Sequence, residues 1–541
     1  MNWNSIIETF RKQNQSSKLN KVIMNIIECF VFPAFIFLFP FCNENFTAPY
    51  EPEGKSDIVF SVKDYGALGN GQTDDTQSIN KTIIACSEAG GGTVRFPAGV
   101  YSTNSIHLLS NITLQADSGA VIKSMTTGFD PWENNPFDDN VGDPAYYHIH
   151  ASMFWGENLS NIKFTGKGLI DAGGLTKSST VKPGQGDKVI ALKNCRNIEI
   201  TDLSFDYTGG GGAHYVILVT GCDSVKIDNL NLKAQRDGIN LINSSNVSIT
   251  NTQINSVRYE GGLEKGGDDA IKIGSDYSLG EIRPTSNIFV KNCTISAGCN
   301  GIMFGTETIG PISNCTFEDI RIDFAGKNGL GITSNDGSII NNLTYKNITM
   351  KNVLSPFFIK VSDVKRTPAG QNYITGRISN IVFENITATD ISNPINGEMS
   401  NVIWGKANSL IESIEFINVN ITVKGGQPLS KAKIDPPEND ERFPQNLIKD
   451  ILKAPLPAYA FYVRHIKNVK FNVCKIDFEK NDNRPPFIID DGTGVTLHSV
   501  NMRKGTGAEC FVEIRNTVTE FVINDCPGLT DVNGSITNRK F

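Results

Sequence analysis

NIEITDLSF (Asn197–Phe205), SVKIDNLNL (Ser224–Leu232), NVSITNTQI (Asn246–Ile254) and NIFVKNCTI (Asn287–Ile295) are four copies of one degenerate pattern, N-[IV]-x-[IVF]-x-N/D-x-x-[IVL]. Apolar residues alternate within each copy, as they do in a strand with one buried face. Further copies start upstream at Asn111 and Asn161, and downstream at Asn314, Asn342, Asn380, Ser413 and Asn468. The shortest spacings, about 22 to 28 residues, suit one coil of a parallel β-helix with three short strands joined by turns. Longer spacings imply loops inserted at one corner, and the recurring Asn residues suit stacked amide ladders. A leucine-rich solenoid would need a leucine framework, and a β-sandwich would not need so many near-identical strands. The expected fold is all-β, a single-stranded right-handed parallel β-helix with an N-terminal capping helix. That helix is read at Asp75–Glu88 (DTQSINKTIIACSE), where apolar residues fall at helical spacing, and GGGTVRFPAGVY follows as a turn and strand. An uncapped end would expose apolar surface and unpaired strand edges.

Composition agrees with a turn-rich β protein: 50 glycines and only 20% charged residues in 541. The net charge of −7, with no basic tract, argues against nucleic acid as a partner. An acidic polysaccharide remains compatible, held by a few local cations. Residues 1–55 read as an export signal and linker, because a basic stretch (Arg11, Lys12, Lys18, Lys21) precedes a mostly apolar run from Val22 to Phe41. A membrane anchor is the alternative; lipid attachment at Cys42 is disfavoured by the bulky Phe39, Pro40 and Phe41. No later segment is apolar enough to span a bilayer, so residues 56–541 are expected to be a secreted or periplasmic, monomeric catalytic domain. Nine of the 11 cysteines lie beyond Cys42 without metal-type spacing and read as core thiols, with Cys195, Cys222, Cys293 and Cys315 at recurring positions near strands.

VKDYGALGNGQTDDTQSINKTI near the start, GGGTVRFPAGVY after it and the central pair RDGINL and GDDAIKI resemble glycoside hydrolase family 28, the polygalacturonase and rhamnogalacturonase group of the pectin-lyase-like β-helices. The resemblance runs from about Ser56, and PPENDERFP followed by PAYAFYVRH (Pro457–His465) is similar to its bacterial branch. It implies an inverting glycosidase that uses no cofactor or metal.

Aligning the coils by their apolar residues puts Asp237 (DGINL), Asp269 (DAIKI), Asn300 (NGIMF) and Asn328 (NGLGI) in one register. Neighbouring coils lie about 4.8 Å apart, so Asp237 and Asp269 should stack, with Asp268 beside them. Three carboxylates so close cannot all ionise cheaply, and at least one should keep its proton. Glycoside hydrolysis needs such a set: one carboxylic acid protonates the leaving oxygen while a carboxylate activates water. Taken alone, acidic residues at solenoid turns can simply cap strands, and a carboxylate trio can also bind calcium. The resemblance implies Asp268 as general acid, with Asp237 and Asp269 holding the water.

The chain departs from the family pattern at three places. The family's NTD corresponds to Gln235-Arg236-Asp237, its GHG to Cys299-Asn300-Gly301, and its cationic RIK to Gly331-Ile332-Thr333. These departures point towards a rhamnogalacturonan-type or algal uronate polymer rather than plain polygalacturonate. Replacement cations for an anionic sugar are Arg236 and Lys272, then Lys360, Arg366 and Arg464. Asn300 and His214, the latter read in register with the acidic column, complete the expected substrate-binding set; surface charges and a satisfied turn histidine are the structural alternatives. Trp132, Trp155, Tyr146 and Tyr147 either stack on sugar or are buried, and the insertion RYEGGLEKGG (Arg258–Gly267) either walls one end of the groove or forms a mobile turn. Hydrolysis of an acidic polysaccharide is the first expectation. A lyase or dehydratase forming unsaturated uronate is the second, and a non-catalytic carbohydrate-binding β-helix the third.

Overall fold

The computed structural model describes residues 58–137, 143–178, 180–208, 211–260, 263–391 and 399–541, with side chains omitted for 259–265. The export signal read in residues 1–55 lies outside them. Among the described residues no helix is long and apolar enough to cross a membrane.

The repeat copies become parallel strands that stack coil upon coil into a right-handed parallel β-helix with three faces. One face, the ladder sheet, collects the repeat starts: Ser160–Gly166, Arg196–Thr201, Asp223–Asp228, Ser245–Thr250, Thr285–Lys291 and their successors. A second face runs through Lys188–Lys193, Tyr215–Thr220, Asp237–Ile242, Ile271–Ser275 and Ile302–Thr308. It continues through the end of Ile312–Ser334 into Val353–Val361. Inward-facing residues fill one continuous core, where Phe317, Tyr345, Phe383, Phe416 and Phe471 stack with centroids 4.7, 4.9, 4.9 and 4.7 Å apart. That spacing is the strand separation itself, so each ring sits flat on the ring of the next coil.

The asparagines at the repeat starts answer a backbone requirement. Asn161, Asn197, Asn246, Asn287, Asn314 and Asn342 have φ between 54° and 59°, and Ser224 and Ser413 take the same left-handed conformation. Asn tolerates this region better than other residues with a Cβ. Each side-chain amide then bonds the next coil: Asn197 Nδ2 donates to Asn161 Oδ1 at 3.0 Å and Asn287 Nδ2 to Asn246 Oδ1 at 2.9 Å.

The capping helix forms at Thr76–Glu88 and buries Ile79, Ile83 and Cys86 on the first coil. Asp75 holds the preceding turn instead of the helix, accepting from the Leu68 and Gly69 amides at 2.7 and 3.0 Å. The single strand expected after it is two, Gly92–Phe96 and Gly99–Thr103. At the far end Val532–Lys540 pairs antiparallel with Val512–Asn524 and covers the last coil. Of the described cysteines all are free and all but Cys299 are buried. Cys195 and Cys222 are stacked neighbours, the Cys195 amide reaching Cys222 Sγ at 3.4 Å. Cys293 and Cys315 sit on other parts of the coil, bonded to carbonyls of Lys291 and Ser313.

Candidate active site

The register predicted for the acidic column is the observed one. Ile239 pairs with Ile271, Ile271 with Ile302 and Ile302 with Leu330, which aligns Asp237, Asp269, Asn300 and Asn328 two residues earlier. The residue after each is Gly or Ala because the coils crowd there: a Cβ on Gly238 would lie 2.5 Å from the Ala270 carbonyl oxygen. His214 is one residue out of the predicted register. Tyr215 is the residue paired with Asp237, with Ile217 opposite Ile239 and Val219 opposite Leu241, so His214 falls in line with Arg236.

Below Asp237 the column is an amide relay. Asn300 donates its backbone N–H and its Nδ2 to Asp269 Oδ1 at 3.0 and 2.6 Å, and its Oδ1 accepts from the Asn328 N–H and Nδ2 at 3.2 and 2.9 Å. Asn300 therefore orients a carboxylate from beneath. It is 4% exposed and its amide is taken up by the relay.

One position earlier in each coil runs a second column that the sequence reading assembled only in part: His214, Arg236, Asp268, Cys299 and Lys327. Arg236 Nη2 forms an ion pair with Asp268 Oδ2. Lys327, with its ammonium 4.8 Å from the Phe443 ring, was not anticipated. Its signal was available, since GKN occupies the place that QRD and GDD occupy in the preceding coils.

Electrostatics divides the trio. Burial, followed by repulsion from Asp268, holds the Asp237 carboxyl well above the usual range. The same two causes in the same order raise Asp269 to about 6. Asp268 is also pushed up by burial, but the charges of Arg236 and then Lys327 outweigh this and leave it lowered. His214 is driven down to about 3 by burial and then by Arg236, so its imidazole is neutral. Its Nδ1 faces the Lys177 carbonyl at 3.0 Å, which makes Nδ1 the donor and leaves Nε2 bare, 3.7 Å from Asp237 Oδ2.

The other expected cations are already committed. Lys272 Nζ meets Glu307 Oε2 at 2.9 Å, and Arg366 binds Glu307 and Asp336, each at 2.6 Å. Lys360 is fully buried, bonded to Ser362 Oγ and the Asn439 carbonyl, and burial lowers it to about 8. Arg464 binds Glu438 at 2.7 Å and the Pro436 carbonyl at 2.8 Å.

Walls rise on both sides of the carboxylates. Towards the N-terminus the segment Asp143–His150 roofs the preceding coil, with Tyr146 fully buried, its hydroxyl 3.4 Å from Glu307, and Tyr215 Oη donating to Asp143 at 2.7 Å. Trp132 stacks on His148 and Trp155 on His150, so neither ring offers a free face on that side. Towards the C-terminus Phe443, Leu447 and Ile448 cover Lys327, Leu354 and Phe358. At the insertion, Gln253–Glu260 and Leu263–Gly267 pair antiparallel, the second strand leading into Asp268. A separate depression of about 680 Å³ lies on the ladder sheet, bordered by Asn342, Asn380, Ser413, Glu415 and Asn468, away from Asp237, Asp268 and Asp269.

Oxygen atoms of Asp268 and Asp269 lie within 4.8 Å of Cys299 Sγ. Burial and then Asp268 keep that thiol protonated, so the trio is a poor match for the roughly six to eight oxygen ligands of calcium.

A stack of parallel strands that presents two carboxyls with raised pKa beside one lowered carboxylate has the groups that glycoside hydrolysis requires. The profile of the glycosyl hydrolases family 28 matches residues 86–438, and the chain belongs to that family. Among its relatives, an exo-poly-α-D-galacturonosidase of Dickeya chrysanthemi is 22% identical over 69% of this chain and 68% of its own length. A polygalacturonase of Gossypium hirsutum is 24% identical over 69% and 86%. Among solved structures the family 28 exopolygalacturonase of Yersinia enterocolitica superposes with a TM-score of 0.53 at 15% identity, covering 87% of this chain and 78% of that one, which attests the fold.

Proposed function

We propose that this glycosidase hydrolyses a uronate-containing, pectin-like polysaccharide outside the cytoplasm, with Asp268 protonating the leaving oxygen and Asp237 and Asp269 holding and activating water. The observation that carries this reading is the stacking of Asp237 on Asp269 with Asp268 alongside. The carboxyls share a pocket whose burial keeps protons available near neutral pH. The relatives' polygalacturonase names favour an acidic polymer as substrate.

The walls at Tyr146 and at Phe443–Ile448 favour a terminal sugar over an internal one, because a polymer threaded along the helix axis would have to cross both. Cleavage then releases units from a chain end. Pectic and algal oligosaccharides labelled at one end test this directly. Hydrolysis from the end gives new reducing ends and single terminal units from the earliest times. Absorbance of an unsaturated uronate would replace hydrolysis by elimination, and an early ladder of mixed lengths would reject terminal action. Asp268→Asn should lower turnover by roughly 10²- to 10⁴-fold while leaving binding near normal; near-normal turnover would reject Asp268 as the acid.

A further inference from the structure

The reaction asks Asp268 for a proton, yet in the resting site Asp268 is the carboxylate ion-paired to Arg236, while Asp237 and Asp269 are the members raised towards their neutral forms. We propose that Arg236 is the residue that recognises the substrate's uronate carboxylate, and that its transfer from Asp268 to that carboxylate is what makes Asp268 the acid. The inference rests on the hydrolase reading above.

Access and pairing single out Arg236. Its side chain is 34% exposed and that of Asp268 20%, whereas Lys272, Arg366 and Arg464 are 13%, 16% and 17% exposed and each is ion-paired to a carboxylate. Among the described residues Asp268 is the one carboxylate within ion-pair distance of Arg236. An incoming uronate can therefore exchange with Asp268 at the pocket mouth without breaking a buried network. Gly331, Ile332 and Thr333 offer no cation further along the same sheet.

The groups facing Asp268 decide what happens on exchange. They are Arg236, Lys327 and Lys272 as cations, Asp237 and Asp269 as carboxyls, the neutral His214 and the protonated Cys299. Lys272 is largely cancelled by Glu307 at 2.9 Å. Once Arg236 turns to the substrate, burial and the neighbouring carboxyls work against Lys327 and the Glu307-paired Lys272 alone, and Asp268 takes a proton. Asp237 supplies it and becomes the carboxylate that water needs. Asp268 then gives the proton to the glycosidic oxygen as the C–O bond breaks. Water adds to the anomeric carbon and passes one proton to Asp237, which restores the resting state. One water is consumed and no other reactant is required.

A neutral sugar ester cannot draw Arg236 away. The test takes the uronate oligosaccharide that the wild-type chain turns over fastest, with its methyl ester, and compares wild type, Arg236→Gln and Arg236→Lys across pH. The wild type should prefer the free acid in kcat/KM by roughly ten- to hundredfold. Arg236→Gln should abolish that preference, and on the ester its basic limb should move to higher pH, because Asp268 is no longer held ionised. Arg236→Lys should keep part of the preference, a readout that a purely structural role would not produce. Retention of the wild-type preference and the same basic limb in Arg236→Gln overturns the inference and leaves the hydrolase reading standing. Failure of the wild type to cleave any member of the panel overturns that reading and this one together.

Discussion

The ladder sheet and the sheet that bears the carboxylates share one backbone geometry and opposite electrostatics. On the ladder sheet corner asparagines donate to an asparagine or an aspartate one coil away, and donor answers acceptor along the axis. On the other sheet the same stacking sets Asp237 over Asp269, and like groups oppose each other. A register that stabilises amides therefore stresses carboxyls. The solenoid turns a structural repeat into a reactive site by changing residue type at one position in successive coils.

Breaking the junction between the two behaviours should have the largest effect. Asn300→Ala removes the Nδ2 donor to Asp269, keeps the backbone N–H, and leaves the Asn328 N–H and Nδ2 without their acceptor in a buried site. Denaturant unfolding should show a loss of about 3 kcal/mol. The lost Nδ2 donor favours the charged form of Asp269, so its removal raises the pKa further. The acid limb of the pH–rate profile should move to higher pH, and an unmoved limb would remove Asn300 from the carboxylate's control.

A smaller effect comes from relieving the stress. The folded pKa of Asp269 is raised to about 6 from a usual 3.8, so the folded state binds its proton more tightly than the unfolded chain does. Below the unfolded value this costs nothing; the penalty grows as pH rises towards about 6 and is constant above. Asp269→Asn cannot ionise, so its melting temperature relative to wild type should climb between about pH 4 and pH 6 and then level off. A pH-independent difference would contradict the assignment.

The ladder sheet should respond least. Asn314 has φ 58° and accepts from Asn342 at 3.2 Å on the exposed corner. Asn314→Ala places an unsuited residue in the left-handed region and should cost about 1 kcal/mol, with turnover unchanged. Asn314→Gly should recover most of that loss, since glycine accepts this conformation freely. Equal losses in the two variants would shift the asparagine's importance from backbone to side chain.

The fold and the acidic column were legible because both repeat with a fixed phase. Alternating apolar residues set the strand faces, and corner asparagines mark the turns. Aligning the repeats is enough to bring Asp237, Asp269, Asn300 and Asn328 into line. The His214 register failed because Tyr215–Thr220 is apolar and buried almost without alternation, so the sequence offers two phases one residue apart, and the strand pairs in the one that sets Tyr215 beside Asp237. Lys327 follows the same phase, one place before Asn328, but a single lysine in GKN looks like any surface charge until Asp268 and Phe443 are placed around it.

The sequence by itself thus determined the solenoid, its N-terminal cap and the stacking of the carboxyls, since these depend on spacing along the chain. Tertiary structure alone decided which cations are spent on Glu307, Asp336 and Glu438, and that Tyr146 and Phe443–Ile448 pack over the sheet. Those facts arise from insertions of irregular length folding back over the sheet. Charge pairing across such contacts depends on distance and burial in space, which no periodicity in the chain records.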